Sequence, residues 1–162
     1  MAEINLALKK LQESFPDSII EVKVFRGEVT VSVAKKDIFK ICKFLYSDPD
    51  LQYYFLTDLC GLDFLPQTPR FGIVYLLFSL KNNQRLRLKV RVGENESISS
   101  VESIWKVANW YEREVYDLFG ISFENHPDLR RLLLWDDFEG HPLRKDYPTQ
   151  GPDFDKPFVP EV

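Results

Sequence analysis

The stretch QRLRLKVRV (Gln84 to Val92) constrains its backbone more than any other part of this 162-residue chain. Leu86, Leu88, Val90 and Val92 alternate with Arg85, Arg87, Lys89 and Arg91, a period of two that only a half-buried β-strand satisfies. Lys81-Asn82-Asn83 before it reads as a turn. Tyr53 to Phe64 and Phe71 to Leu80 read as two longer strands, joined by LPQTPR, where Pro66 and Pro69 exclude regular pairing. Antiparallel neighbours linked by short turns are predicted, with one sheet face wet. The basic row on that face could bind phosphates or an acidic partner; the plainer reading is a solvated face whose charges discourage edge-to-edge aggregation.

The same reasoning extends to the rest of the chain. Ile4, Leu8, Leu11 and Phe15 recur at helical spacing, and Pro16 ends the pattern. In IIEVKVFRGEVTVSV, Ile20, Val22 and Val24 alternate with polar residues, as do Val29, Val31 and Val33, around an Arg26-Gly27 turn. That predicts a hairpin with one buried face. Ile38, Ile41, Cys42 and Leu45 mark a second helix, stopped near Asp48-Pro49. Ser99 and Glu102 fit a capping box at the start of SVESIWK, and a helix through ANWYEREVYDLFG ends at Gly120. The prediction is an α+β fold: an antiparallel or mixed sheet with helices packed on it, as a core domain over 1–123. An extended, proline-rich segment follows over 124–162, and from Asp136 to Val162 it carries seven acidic residues against three basic ones.

Composition excludes several functions. A net charge of -4 disfavours a generic nucleic-acid binder. The longest apolar run, Phe71 to Leu80, is far below the ~20 residues of a membrane helix. The N-terminus lacks the apolar core of a signal peptide, and Cys42 and Cys60 lie in no metal-binding spacing, as expected of free thiols in a reducing cytosol. There is no G-x-S-x-G, and no glycine-rich phosphate loop.

Two regions concentrate ionisable groups. At 100° per residue the third helix places Val107, Ala108, Tyr111, Val115, Leu118 and Phe119 on one apolar arc, with Glu112 at its far edge. Trp110, Arg113, Glu114 and Asp117 share a second flank, where Arg113 and Asp117 are spaced for an i, i+4 pair. Such a flank is a solvated surface, a pocket of acid-base carboxylates, or a set of charges buried when something covers it. The ribbon NHPDLRRLLLWDDFEGHPLRKDYP (Asn125 to Pro148) then holds both histidines, nine charged residues and three prolines. A metal site would draw on His126, Asp128, Asp136, Asp137, Glu139 and His141, but their spacing matches no tight ligand motif. Arg130, Arg131 and Arg144 can bind in bidentate fashion, and Trp135, Phe138 and Tyr147 are aromatic. Prolines also lower the entropy lost on binding, so the ribbon reads as a docking strip.

The run EREVYDLFGISFENHPDLRRLL (Glu112 to Leu133) resembles the signature of the C-subunit family of proton-pumping NADH:quinone oxidoreductase, respiratory complex I. It has the Glu-Arg-Glu opening, Asp117 followed by Leu118-Phe119, then His126 and the block Arg130-Arg131-Leu132-Leu133. DDFEGHPLRKDYP (Asp136 to Pro148) and, more loosely, LTDLCGLDF (Leu56 to Phe64) look similar too; Trp135 departs from the proline usual there. The resemblance implies a cofactor-free subunit of the peripheral arm on the cytoplasmic face of the membrane. FMN, iron-sulfur clusters and quinone are then expected in partner subunits. It also implies docking onto the neighbouring D-type subunit near the quinone site. The residues carried over to that interface are Glu112, Arg113, Glu114 and Asp117 on the helix. On the ribbon they are His126, Asp128, Arg130, Arg131, Asp136, Asp137, His141, Arg144, Lys145, Asp146 and Tyr147. Equivalent subunits of related NDH-1-type complexes and membrane-bound hydrogenases share the pattern. A metal-dependent hydrolase using His126 and His141 is the rival from another class.

Overall fold

The computed structural model describes residues 6–149; Ile4 and the tail from residue 150 lie outside the described residues. The order of elements is α1 (Leu6–Ser14), β1 (Ile19–Phe25), β2 (Glu28–Val33), α2 (Ile38–Ser47), β3 (Phe55–Asp63), β4 (Phe71–Ser79), β5 (Gln84–Val92), β6 (Ser97–Ser99), α3 (Ala108–Phe119) and β7 (Ser122–Glu124). Five strands form one mixed sheet in the order β1-β2-β5-β4-β3, and β6 pairs with β7 in a small parallel ladder. The β3–β4 and β4–β5 pairs are antiparallel, as the short turns predict, whereas β2 and β5 run parallel. The long excursion through α2, β3 and β4 is what allows that parallel return.

The alternation of β5 is realised residue for residue. Leu86, Leu88, Val90 and Val92 are buried with Val31 and Val33 of β2, Ile73, Tyr75 and Leu77 of β4, and Ile38, Ile41, Cys42 and Leu45 of α2. Ala7 and Leu11 of α1 and Ala108, Val115 and Phe119 of α3 complete the same cluster. Each large aliphatic side chain among these contributes about 1.5–3 kcal/mol relative to exposure. Gly61 of β3 permits close approach of α3, because a Cβ there would stand 2.6 Å from the Phe119 ring.

On the opposite face Arg87, Lys89 and Arg91 of the basic row are engaged within the chain, and Arg85 is exposed. Arg87 donates to Glu28 at 2.8 Å and Thr30 at 3.2 Å, while Lys89 and Arg91 lie 4.7 and 4.0 Å over the Phe64 ring.

Two local predictions are corrected. β1 shares the buried face of β2 only in part: Val22 packs against the core, but Ile20 and Val24 are 69% and 59% exposed. Register still pairs Val22 with Val31 and Val24 with Val29, but β1 is the sheet edge, beyond the helical cover. A register shift between Ile19 and Glu21 also takes Ile20 out of the ladder. The capping box at Ser99 and Glu102 does not form either. Ser99 ends β6, turns fill most of the stretch 101–107, and α3 begins at Ala108. Ser100, not Ser99, accepts the Glu102 N–H, and its hydroxyl is directed at Glu112.

Candidate functional site

Half of the predicted α3 flank is covered by the chain's own ribbon. Arg113 is 7% exposed, and Glu112 and Asp117 are fully buried; Trp110 and Glu114 remain exposed. The expected Arg113–Asp117 pair gives way to contacts with the ribbon. Arg113 donates to the carbonyls of Arg130 (3.2 Å) and Arg131 (2.9 Å), and its guanidinium lies 5.3 Å from the centre of the Trp110 ring. A buried cation recruits ribbon carbonyls here because the ribbon, with no ladder of its own, has acceptors to satisfy.

Asp117 is the anchor. One carboxylate oxygen accepts from Arg131 at 2.7 Å; the other accepts the N–H groups of Leu132, Leu133 and Leu134 at 3.0, 2.8 and 2.9 Å. Burial alone would raise its pKa, but three amide donors and Arg131 outweigh that and hold the carboxyl at about 2. The same Arg131 donates onward to the Phe138 and Gly140 carbonyls.

The last turn of any helix leaves carbonyls without partners, and here the ribbon supplies donors. His141 Nδ1 donates to the Asp117 carbonyl at 2.8 Å, which assigns the proton to that nitrogen. The Leu143 N–H donates to the Leu118 carbonyl at 3.1 Å, and Arg144 Nε to the Phe119 carbonyl at 2.6 Å. Gly120, in the left-handed region at φ 72°, closes the helix as predicted; a Cβ there would meet His141 and Arg144 at 2.5 Å.

His126 stands at the ribbon's root. Its Nε2 donates to the Asn109 carbonyl at 3.1 Å, and its Nδ1 accepts the Asp128 N–H at 3.1 Å, so the two ring nitrogens play opposite roles. Glu112 lies 4.0 Å from Nε2 and accepts from Ser100 at 2.6 Å and from the Val101 N–H at 2.7 Å. Burial pushes the Glu112 carboxyl up to about 7, although both hydrogen bonds oppose the shift. Burial likewise raises the Cys42 thiol and the Tyr75 phenol nearby.

The far end of the ribbon is fixed by a group that sequence reasoning missed. Arg70, 6% exposed, binds Asp63 at 2.9 Å, Glu94 at 2.7 Å and both carboxylate oxygens of Asp146. Asp63 also accepts the N–H groups of Leu65 and Lys145, each at 2.9 Å. Burial would raise Asp63, but Arg70 and these amides hold it well below the usual carboxylate range. The available signal was an arginine directly before a strand without charged residues, where a buried cation needs a counter-charge. Tyr147 stacks on Phe138 at 6.0 Å and donates to the Glu139 carbonyl at 3.3 Å. Lys145 reaches the Leu65 carbonyl.

The predicted residues therefore fall into groups. Glu112 meets His126, and Asp117 meets Arg131 and His141. Arg144, Lys145 and Asp146 tie to the strands or to the end of α3. Asp128 and Arg130 form an exposed pair at 2.9 Å. Glu114, Asp136 and Asp137 are exposed and outside these networks. The two histidines serve different carbonyls, and among the described residues no three His, Cys, Asp or Glu side chains could hold a metal ion together. The geometry is that of a ribbon fastened to α3 and to the strand ends.

A sequence model of the family described as respiratory-chain NADH dehydrogenase, 30 Kd subunit, matches residues 31–153, which include α3 and the whole ribbon. The chain belongs to this family. The C subunit of NADH-quinone oxidoreductase from Geotalea uraniireducens is 56% identical over 94% of this chain and 93% of its own length. The C subunit from Roseiflexus castenholzii is 47% identical over 87% and 82%, respectively. A C subunit of the same enzyme in Rhizobium etli, distinguished there by the number 2, is 44% identical over 92% and 80%. The 30 Kd family thus accounts for the resemblance carried by Glu112 to Leu133, and the pinned ribbon lies inside the matched region.

Proposed function

We propose that this chain is a cofactor-free, structural subunit of a proton-translocating NADH:quinone oxidoreductase, seated in the peripheral arm. It docks onto the D-type subunit near the quinone site and adjoins iron-sulfur subunits. FMN, iron-sulfur clusters and quinone belong to those partners, and the chain holds neighbours in register without catalysing a step. Its place is the cytoplasmic face of the membrane, reached through partner contacts; no helix among the described residues is long and apolar enough to cross a bilayer.

The observation that carries this reading is the Asp117 cradle. A buried carboxylate binding Arg131 and three successive amides holds the ribbon in one shape before any partner arrives. Preorganisation of that kind lowers the ordering cost of association. The family membership and the subunit names of the relatives supply the assembly.

Affinity purification of the tagged full chain from native membranes in mild detergent tests the proposal. Recovery of a D-type subunit together with iron-sulfur subunits is the expected result. Recovery of neither overturns the docking reading. NADH oxidation by the isolated chain, or stoichiometric bound metal, overturns the cofactor-free role.

A further inference from the structure

Large apolar side chains stay exposed at the start of β3, at the start of α3 and on the ribbon. Tyr54 and Phe55, at the start of β3, are 49% and 47% exposed. They line a groove of about 280 Å³ with Val107, which is 39% exposed and precedes α3. Trp110 follows about one helical turn later at 57%. Arg113, packed near the Trp110 ring, links it to the Arg130 and Arg131 carbonyls, and the ribbon then presents Leu133 and Trp135 at 61% and 66%. Isolated exposed apolar residues need no explanation, but a series rich in Trp, Tyr and Phe has the composition of an interface core.

The surrounding charge narrows the occupant. Lys106 and Arg130 are each engaged by a carboxylate, Glu102 and Asp128, at 2.9 Å. Exposed Glu114, Asp136, Asp137 and Glu139 form no ion pair among the described residues. Toward the ribbon the margin is therefore acidic. A second copy docked ribbon to ribbon across a two-fold axis would set this margin against an equally acidic one. An anionic lipid surface would be repelled by it. A protein face with an apolar centre and a basic margin is complementary.

We infer that the surface from Tyr54 and Phe55 through Val107 and Trp110 to Leu133 and Trp135 is a single docking footprint for one basic-rimmed protein partner. This rests on the proposed docking role and extends it from the ribbon to the groove at the other end of α3. Buried Asp117 and Arg113, with partly buried Arg131, act as positioning residues that hold the ribbon half of the footprint against the helix half.

The test uses the tagged full chain in native membranes, with Phe55→Ser at the groove, Trp135→Ser on the ribbon, and the double reversal Asp136→Lys and Asp137→Lys at the margin. All of these positions are exposed, and thermal unfolding checks that the variants fold. Each variant should reduce recovery of the same partner roughly tenfold, as loss of an aromatic anchor or of complementary charge does. Loss with Trp135→Ser but undiminished recovery with Phe55→Ser overturns the single footprint while leaving ribbon docking intact. Undiminished recovery with all variants overturns the footprint while leaving the subunit role intact. No partner with the unaltered chain overturns both. Dimerisation of the purified chain that Trp135→Ser abolishes, or its sedimentation with phosphatidylserine vesicles, assigns the surface to another occupant and overturns the inference.

Discussion

Asp117 and Glu112 lie on the same helix and are buried alike, yet their pKa values shift in opposite directions. Asp117 faces four donors and is held at about 2. Its pKa is below the ordinary carboxylate value, so its stabilisation is present above about pH 4 and is lost as the pH falls through 2; at about 1.36 kcal/mol per unit this amounts to ~2.5 kcal/mol. Asp117→Asn should lower stability at neutral pH by about 3 kcal/mol, because Arg131 loses its counter-charge, and should flatten the acid limb of urea unfolding. Glu112 has two hydrogen bonds but no ion pair shorter than 4.0 Å to His126, and it rises to about 7. Its stabilisation is present below about pH 4.5 and is lost as the pH rises through 7, a change of about 3 kcal/mol. Glu112→Gln should remove that loss, so urea midpoints at pH 5 and pH 8 should converge in the variant and diverge in the unaltered chain. The 3.6-residue period placed Glu112 at the edge of the apolar arc. Its environment depended on Ser100, Val101 and His126, which no periodicity brings together.

At the scale of elements, α3 and the ribbon form one unit. The helix ends in carbonyls that need donors, and the ribbon brings His141, Leu143 and Arg144 to them. Arg113 works in the other direction, giving α3 a donor for ribbon carbonyls. Arg113→Ala should therefore raise amide hydrogen exchange over residues 130–134 by roughly tenfold or more, the consequence of ~1.4 kcal/mol of local stability lost. Exchange in β4 and β5 should stay unchanged, and exchange followed by mass spectrometry distinguishes the two regions. The helical spacing showed that Trp110, Arg113, Glu114 and Asp117 share a flank. It could not show that the next segment of the chain folds back over half of it.

Across the whole molecule, Arg70 joins residues far apart in sequence, binding Asp63 at the end of β3 and Asp146 near the end of the described ribbon. Arg70→Ala leaves Asp63 buried without its cation and should cost about 3 kcal/mol, read as a drop in the urea midpoint. Arg70→Lys should recover only part of it, since one ammonium cannot reproduce the fork that reaches Asp63, Glu94 and Asp146 together. By itself the sequence determined the class of fold, the faces of β2, β5 and α2, the apolar arc of α3 apart from Val107, and the Gly120 stop. Those features are written in periods of two and 3.6 and in single-residue backbone preferences, all of which are local. Tertiary structure alone decided that most of β1 lies exposed at the edge, that β2 and β5 run parallel, and that Arg70 closes the ribbon. It also decided which ionisable residues hold the ribbon down and which face outward. Each of these depends on what a side chain meets after the chain has turned back on itself, and desolvation and charge pairing are set by that encounter rather than by sequence neighbours.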